Sequence, residues 1–446
     1  MDAFRIQGGT RLAGRIAVDG SKNAALPLMA AALLTDEPIT LRRVPDLSDI
    51  ANMSRLLDEL GCAASGTHGT ITLRTQDTSA TRARYDIVKT MRASICVLGP
   101  LLARRGRAEI SMPGGCVFGD RPVDLHLRGL EALGAKVELQ SGYIIATADR
   151  LRGNTIFLGG PMGPTVLGTA NVMSAAALAE GTTIIESAAC EPEIVCLAEL
   201  LNAMGARIRG AGSPRIIIEG VEQLGGADHV VIPDRIVAGT YAIAAAITNG
   251  DVTIDDYPLD SMIAFLDRMN EIGVNFERVN LDEDPRCCTV RVTSQRVLRP
   301  VTITTQPHPG FPTDLQAQMM ALLCLASGNS IITEKIYTER FMHVAELGRM
   351  GARLYRQGPT VIVQGVPHLV GAPVMASDLR GSACLVLAGL AAQGETVVSR
   401  VYHLDRGYSR MDETLALLGA RIERFNPDRR EDGVGAGVAH EVAAGV

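Results

Sequence analysis

The sequence predicts an α/β protein of six like units gathered into two closed domains. Three observations carry this: a recurring helix-to-strand motif, a set of helices that are apolar on every side, and a composition rich in small aliphatics. The motif is a helix ending in Gly followed by a short strand, in LDELGCAA, LEALGAKVEL, LNAMGARIRG, MNEIGVNFER, LGRMGARLYR and LALLGARIERF. Its glycines, Gly61, Gly134, Gly205, Gly273, Gly351 and Gly419, recur at intervals of roughly 70 residues. A chain leaving its last helical turn through a left-handed position selects glycine, which has no Cβ to clash there.

Upstream of these motifs lie Ala/Leu/Met-rich helices closed by a turn and a β-branched strand: NAALPLMAAALLTDEPITL, GTANVMSAAALAEGTTIIE, GTYAIAAAITNGDVTID and GSACLVLAGLAAQGETVVS. A helix without a polar face belongs inside a domain. Each unit therefore reads as buried helix, strand, outer helix, strand. Open solenoids usually repeat at roughly 20 to 50 residues, so a longer repeat with two helix types favours closed domains. Six units divide into two domains of three, with HVVIPDRIVAGT as the boundary: residues 22–232, then the units from 233 to 425. Residues 426–446, NPDRREDGVGAGVAHEVAAGV, lose the periodicity and read as a mobile tail.

Composition removes whole classes of function. Hydrophobic residues at 47% and charged residues at 21% are ordinary for a folded chain, which excludes extensive disorder. Forty-three basic against 49 acidic residues leave a net charge of −6 with no basic segment, which argues against a nucleic-acid partner. The apolar stretch Ala24 to Leu34 contains Pro27 and falls short of a membrane span, and the opening MDAFRIQGG does not read as a signal peptide. Nine cysteines without a C-x-x-C pair suggest neither a disulfide framework nor a zinc site, and a reducing cytoplasm is the expected home.

Where the units are scaffold, chemistry belongs where one of them breaks the pattern. SMPGGCVFGDRPVDLH sets Gly114, Gly115 and Gly119 around Cys116 and continues to Arg121, Asp124 and His126. An incidental thiol in a tight turn and a reactive cysteine on a closing loop both fit this segment. The starts of the buried helices form a second constellation: Lys22 and Asn23, Arg92, Asp234 and Arg235, Asp314, and Asp378 with Arg380. Each aspartate there can be a plain N-cap. Cations are the unexpected partners at that end of a helix, so their recurrence points to a polyanionic ligand. Arg340 in IYTERFMH and Arg406 in YHLDRGY extend the set, and with Lys22, Arg121 and Arg380 they can clamp phosphate and carboxylate groups. There is no phosphate-cradling G-x-x-x-x-G-K-[ST] loop, no G-x-S-x-G elbow and no H-E-x-x-H.

In DGSKNAALP, PGGCVFGDRPVDLH, HPGFPTDLQAQ, ERFMHVAELGRMGA, DLRGSACLVLAG and YHLDRGY, taken in this order, the chain resembles the enolpyruvyl transferases. Within them it is similar to the UDP-N-acetylglucosamine 1-carboxyvinyltransferases. The resemblance runs from about Phe4 to Phe425. It implies two inside-out, barrel-like α/β domains, each of three repeated units with buried helices and surrounding sheets. The N-terminal strand, residues 1–21, would cross into the second domain, which would carry Asp314, and the first would carry Cys116.

The implied reaction moves the enolpyruvyl group of phosphoenolpyruvate onto the 3′-hydroxyl of UDP-N-acetylglucosamine through a tetrahedral intermediate, with no metal and no cofactor. By motif position Cys116 would be the general acid and Asp314 the base. Lys22, Arg121 and Arg406 would hold phosphoenolpyruvate, with Asn23 nearby. Arg92, Pro122, Val123, Asp124, Leu125 and Ile336 would meet the sugar nucleotide, and Arg340, Asp378 and Arg380 would complete the cleft. Where the family carries a basic residue and a Ser-Val-Gly turn, this chain reads Gly163, Thr165, Val166 and Leu167, which lacks the charge expected at the diphosphate. Rival readings are 5-enolpyruvylshikimate-3-phosphate synthase, a paralogue for another nucleotide, a non-catalytic six-unit binding module and an RNA 3′-phosphate cyclase. The cysteine loop and HPGFPTD argue against the first.

Overall fold

A computed structural model describes residues 2–67, 69–113, 123–295 and 297–427. Cys116, Arg121 and Pro122 lie outside the described residues, as does the tail from residue 428.

Six four-stranded sheets repeat one plan: a short strand pairs parallel with a second, which continues into an antiparallel third and fourth. In the second unit these are Arg82–Ala83, Arg107–Ser111, Tyr143–Thr147 and Lys136–Gln140. The fifth unit repeats it with Thr302–Thr304, Asn329–Thr333, Thr360–Gln364 and Arg353–Gln357. The helix-ending glycines, Gly61, Gly134, Gly205, Gly273, Gly351 and Gly419, all have positive φ, between 76° and 105°. The motif revealed the fourth strand of each sheet but not the third, which in five sheets follows it as the return arm of a hairpin and in the sixth is Ala3–Gln7.

Each group of three sheets is completed by a strand from a distant part of the chain. Ala227–Val230, at the end of the third unit, returns to pair with Ile39–Arg42 of the first. Ala13–Ala17 supplies the parallel strand beside Asp251–Tyr257, and Ala3–Gln7 inserts between Glu395–Ser399 and Arg421–Phe425. Two hydrophobic cores result, one drawn from Ala24 to Val231 and the other from Phe4 to Val18 with Ile236 to Ala420. Among the described residues no sheet closes into a barrel: each group of three open sheets encloses its own helices.

Those helices are Lys22–Ala31, Leu98–Arg105, Val166–Ala176, Arg235–Ile247, Gln316–Leu323 and Leu379–Ala391. Every residue of Arg235–Ile247 and of Gln316–Leu323 is buried. Burying a Leu or Ile side chain contributes about 1.5–3 kcal/mol, so these helices anchor their cores through side chains on every face. Among the described residues, no helix is long and apolar enough to cross a membrane.

The chain passes between the two cores twice, and the two passages lie side by side. Ser21 N donates to Ile232 O at 2.7 Å, Asp234 N donates to Asp19 O at 2.9 Å, and Gly20 bridges Pro233. A Cβ on Gly20 would fall 1.8 Å from Arg43 O, a backbone atom that cannot swing aside. Gly20→Ala is therefore expected to lower stability by about 1–3 kcal/mol, the range for overpacking. The measurement is the urea midpoint at unchanged m-value.

Candidate active site

Three of the buried helices bring their first turns to the seam between the cores. Asp234 caps Arg235–Ile247 by accepting from Ile236 N and Val237 N, and Asp378 caps Leu379–Ala391 by accepting from Arg380 N and Gly381 N. Asp314 behaves differently. It sits in the 3₁₀ turn Thr313–Leu315 ahead of Gln316–Leu323, and its carboxylate faces arginines instead of its own helix. The three aspartates, alike in residue type and in position ahead of a buried helix, thus separate into two caps and one acid aimed at cations.

Oδ1 of Asp314 accepts from Arg340 Nη1 at 2.8 Å, and Oδ2 accepts from Arg380 Nη2 at 3.0 Å and Nε at 3.3 Å. Both guanidinium groups are buried, with side chains 6% and 1% exposed, while Asp314 keeps 27% of its surface open. Burial pushes the Asp314 carboxyl up, but Arg380 and Arg340, with Lys22 behind them, hold it well below the usual carboxylate range. Arg340 Nη1 also donates to Thr313 Oγ1 at 3.1 Å. Arg380 lies 5.3 Å above the Tyr408 ring, whose hydroxyl joins Gln318 and Thr240 at 3.1 and 2.9 Å. The Nη1 atom of Arg380 is buried without a hydrogen-bond partner.

Lys22 opens the helix Lys22–Ala31, which Ser21 caps by accepting from Ala24 N. Its backbone N donates to Asp234 Oδ2 at 3.1 Å, and its Nζ donates to Asp49 Oδ2 at 3.4 Å. Arg406, at the end of the 3₁₀ turn Val401–Arg406, reaches the same carboxylate through Nε at 3.1 Å and Nη2 at 3.5 Å. Asp49 went unnoticed in the sequence because an acidic residue in the first turn of an outer helix reads as an ordinary response to the helix dipole.

The cations that begin buried helices are thus answered in part by the protein's own carboxylates. Arg235 donates to Glu193 Oε1 at 3.0 Å with both side chains almost fully buried, which makes it a clasp between the cores. Glu334 was likewise missed. It accepts from Thr305, Thr313, Ile336 N and Tyr337 N, and so fixes the turn that carries Ile336 on toward Arg340.

A second group lies on the first core. Arg92 begins a 3₁₀ turn, Arg92–Val97, that leads into Leu98–Arg105, and it lowers the pKa of His126 after burial has done most of that work. With its pKa down to about 3, His126 stays neutral, and its Nδ1 meets Asn171 Nδ2 at 2.8 Å. Asn171 also ties Ile95 O and Gly99 N, so one amide locks the Arg92 turn to the helix Asp124–Ala132. Asp124 is exposed, Val123 buried, and Asn23 and Leu125 half-buried. Leu125 packs under the Gly159–Pro164 hairpin, where a Cβ on Gly160 would meet its Cδ1 at 3.1 Å. In the second strand of that hairpin Gly163 has φ +97°, and a Cβ there would lie 3.1 Å from Pro307 Cγ of the other core, so glycine leaves room for the other core at this point.

A cluster of cations around the half-buried carboxylate of Asp314, set between two three-unit α/β cores, fits the enolpyruvyl transferase class. The family model described as EPSP synthase (3-phosphoshikimate 1-carboxyvinyltransferase) matches residues 6–415, and the chain belongs to this family. The enolpyruvyl transferase NikO from Streptomyces tendae superposes with a TM-score of 0.85 at 26% identity, over 95% of this chain and 99% of that one. An EPSP synthase from Acinetobacter baumannii shares the fold, with a TM-score of 0.75 at 17% identity over 96% of this chain and all of that one.

Sequence relatives narrow the class. The UDP-N-acetylglucosamine 1-carboxyvinyltransferase of Anaeromyxobacter sp. (strain Fw109-5) is 54% identical over 95% of this chain and 99% of that protein. The enzyme of the same name from Nitratidesulfovibrio vulgaris is 52% identical over 95% of this chain and all of that protein.

Proposed function

We propose that the protein transfers the enolpyruvyl group of phosphoenolpyruvate to the 3′-hydroxyl of UDP-N-acetylglucosamine with release of phosphate, the first committed step of peptidoglycan synthesis, in the cytoplasm. The observation that carries this reading is end-to-end relatedness above 50% to carboxyvinyltransferases of that name. The geometry agrees with it. Lys22, Arg340, Arg380 and Arg406 surround two carboxylates, a charge balance suited to a small polyanion entering beside an acid that can take a proton.

In this reading the two cores act as lobes, residues 22–232 against residues 1–21 with 233–425. Cys116 protonates the C3 methylene of phosphoenolpyruvate while the sugar 3′-oxygen bonds to C2 and gives its proton to Asp314. Reversal of the C3 protonation with cleavage of the C2–O bond to phosphate then regenerates the enol ether and frees phosphate. Asp314 is a weak base while both of its oxygens serve arginines. An anionic substrate that draws Arg340 or Arg380 toward itself raises Asp314's basicity at the moment a proton must be taken. In this assignment Arg121 from the loop joins Lys22 and Arg406 on phosphoenolpyruvate, and Arg92, Pro122, Val123, Asp124, Leu125 and Ile336 line the nucleotide end. Gly163 stands where the family carries a basic residue, so the Gly159–Pro164 hairpin brings no charge to that end, and Asp378 serves chiefly as the cap that aims Arg380.

The test is phosphate release from phosphoenolpyruvate with UDP-N-acetylglucosamine or shikimate 3-phosphate as acceptor, on wild type and Cys116→Ser. Release is expected only with the sugar nucleotide and only from wild type. Equal release with shikimate 3-phosphate overturns the assignment. In the same assay fosfomycin, an epoxide that alkylates thiols, is expected to inactivate wild type and spare Cys116→Asp.

A further inference from the structure

Among the described residues, Asp49 holds two cations of the candidate site from different cores at once. It lies in the first turn of the helix Ser48–Glu59, flanked by Leu47 and Ile50 of the first core, and is 2% exposed. Arg406 follows Val401 and Leu404, which are buried in the second core. The same junction is tied beside it, where Ser48 Oγ donates to Asp405 O at 3.5 Å and Arg424 grips the Asp405 carboxylate at 2.6 and 3.0 Å. An aspartate serving only its own helix dipole would turn its oxygens toward that helix's free N–H groups. Asp49 instead spends Oδ2 on Lys22 Nζ, and both oxygens on the Arg406 fork.

We infer that Asp49 is a positioning residue that gathers Lys22 and Arg406 across the seam into a single clamp for phosphoenolpyruvate. The stoichiometry of donors allows this. An ammonium has three N–H groups and a guanidinium five, so after Asp49 takes one from Lys22 and two from Arg406, both cations retain donors for an anionic ligand. Without the carboxylate, two like charges would be left side by side in a partly buried site, and each would relax toward solvent or the other core. The inference rests on the reading above that Lys22 and Arg406 hold phosphoenolpyruvate.

Electrostatics supply a signature that a purely structural aspartate would not share. Burial lowers the pKa of Lys22, Asp49 raises it, Arg380 and Arg406 lower it, and Asp314 raises it. Asp234, the remaining acid at that helix start, accepts from the Lys22 backbone N. Asp49 is the largest influence holding the proton on the ammonium, so with Asp49 neutralised the charge on Lys22 is lost at a lower pH as pH rises.

The experiment is steady-state kinetics on Asp49→Asn and Asp49→Glu across pH. For Asp49→Asn the KM for phosphoenolpyruvate is expected to rise roughly 10- to 100-fold, the range for losing a partner that orients a ligand-holding group. The KM for UDP-N-acetylglucosamine should stay within about twofold, a change under 0.5 kcal/mol. The alkaline limb of kcat/KM for phosphoenolpyruvate should move to lower pH, and Asp49→Glu should recover most of the loss. Equal effects on both substrates with an unmoved alkaline limb would show a merely structural residue and overturn the inference. Arg406→Ala, run alongside, tests the underlying reading. An unchanged KM there removes that reading and the inference with it. A raised KM there, with Asp49→Asn like wild type, removes only the inference.

Discussion

Asp314→Asn is expected to lower kcat by about 10²- to 10⁴-fold, the range contributed by a positioned general base, with a much smaller change in either KM. The amide keeps the size of the side chain and one acceptor oxygen, so Arg340 or Arg380 retains a partner and the binding surface persists. What is lost is the ability to take a proton from a sugar hydroxyl. The cluster also loses the negative charge that sits between two buried guanidinium groups. A lower thermal midpoint should therefore accompany the kinetic defect, while isothermal titration with UDP-N-acetylglucosamine still reports binding. If Asp314→Asn turns over within about threefold of wild type, a change under 1 kcal/mol in the barrier, proton transfer to this carboxylate is not part of the reaction.

Arg380→Met is expected to lower kcat/KM for phosphoenolpyruvate by about 10²-fold or more, since truncating one partner of a buried charged pair commonly costs 2–5 kcal/mol. Methionine is comparable in length and fills the space above the Tyr408 ring, so the loss reports charge and hydrogen bonding more than volume. The variant carries a second, directional consequence. After burial, which raises the Asp314 pKa, Arg380 is the largest influence lowering it. Removing Arg380 lets that pKa rise, so more of the carboxyl is protonated at a given acidic pH. The acid limb of the kcat profile should then shift to higher pH. Arg380→Lys restores the charge but not the two-pronged donation that Nε and Nη2 make to Oδ2, and should fall between wild type and Met. An unmoved acid limb in Arg380→Met would show that Asp314 does not titrate in the catalytic step.

Much of the architecture was legible because it rests on local rules. The six helix-ending glycines announce left-handed positions that other residues take only with strain, and all six have positive φ. Helices with no polar face must be buried, and Arg235–Ile247 and Gln316–Leu323 are. In five of the sheets the third strand was not legible, because its register follows from pairing across a hairpin. The same holds for the closing strands Ala3–Gln7, Ala13–Ala17 and Ala227–Val230, whose partners are far away in sequence.

The candidate site divides along the same line. Residue type and motif order were enough to single out Lys22, Asp314, Arg340, Arg380 and Arg406, since clustered cations at helix starts are unfavourable without an anion. Residue type and position could not separate Asp314 from Asp234 and Asp378, because all three precede buried helices and any of them can cap; only the resemblance of HPGFPTDLQAQ to the family motif marked Asp314 as the base. Tertiary structure separated them by setting Arg340 and Arg380 against Asp314, while Asp234 and Asp378 cap their own helices. It also brought Asp49 to Arg406, 357 residues away along the chain. By itself the sequence determined the repeat, the buried helices and the set of charges. The fold alone decided which charges meet, because Coulombic and hydrogen-bond partners are chosen by distance in space, and that distance is set by how the two cores face each other.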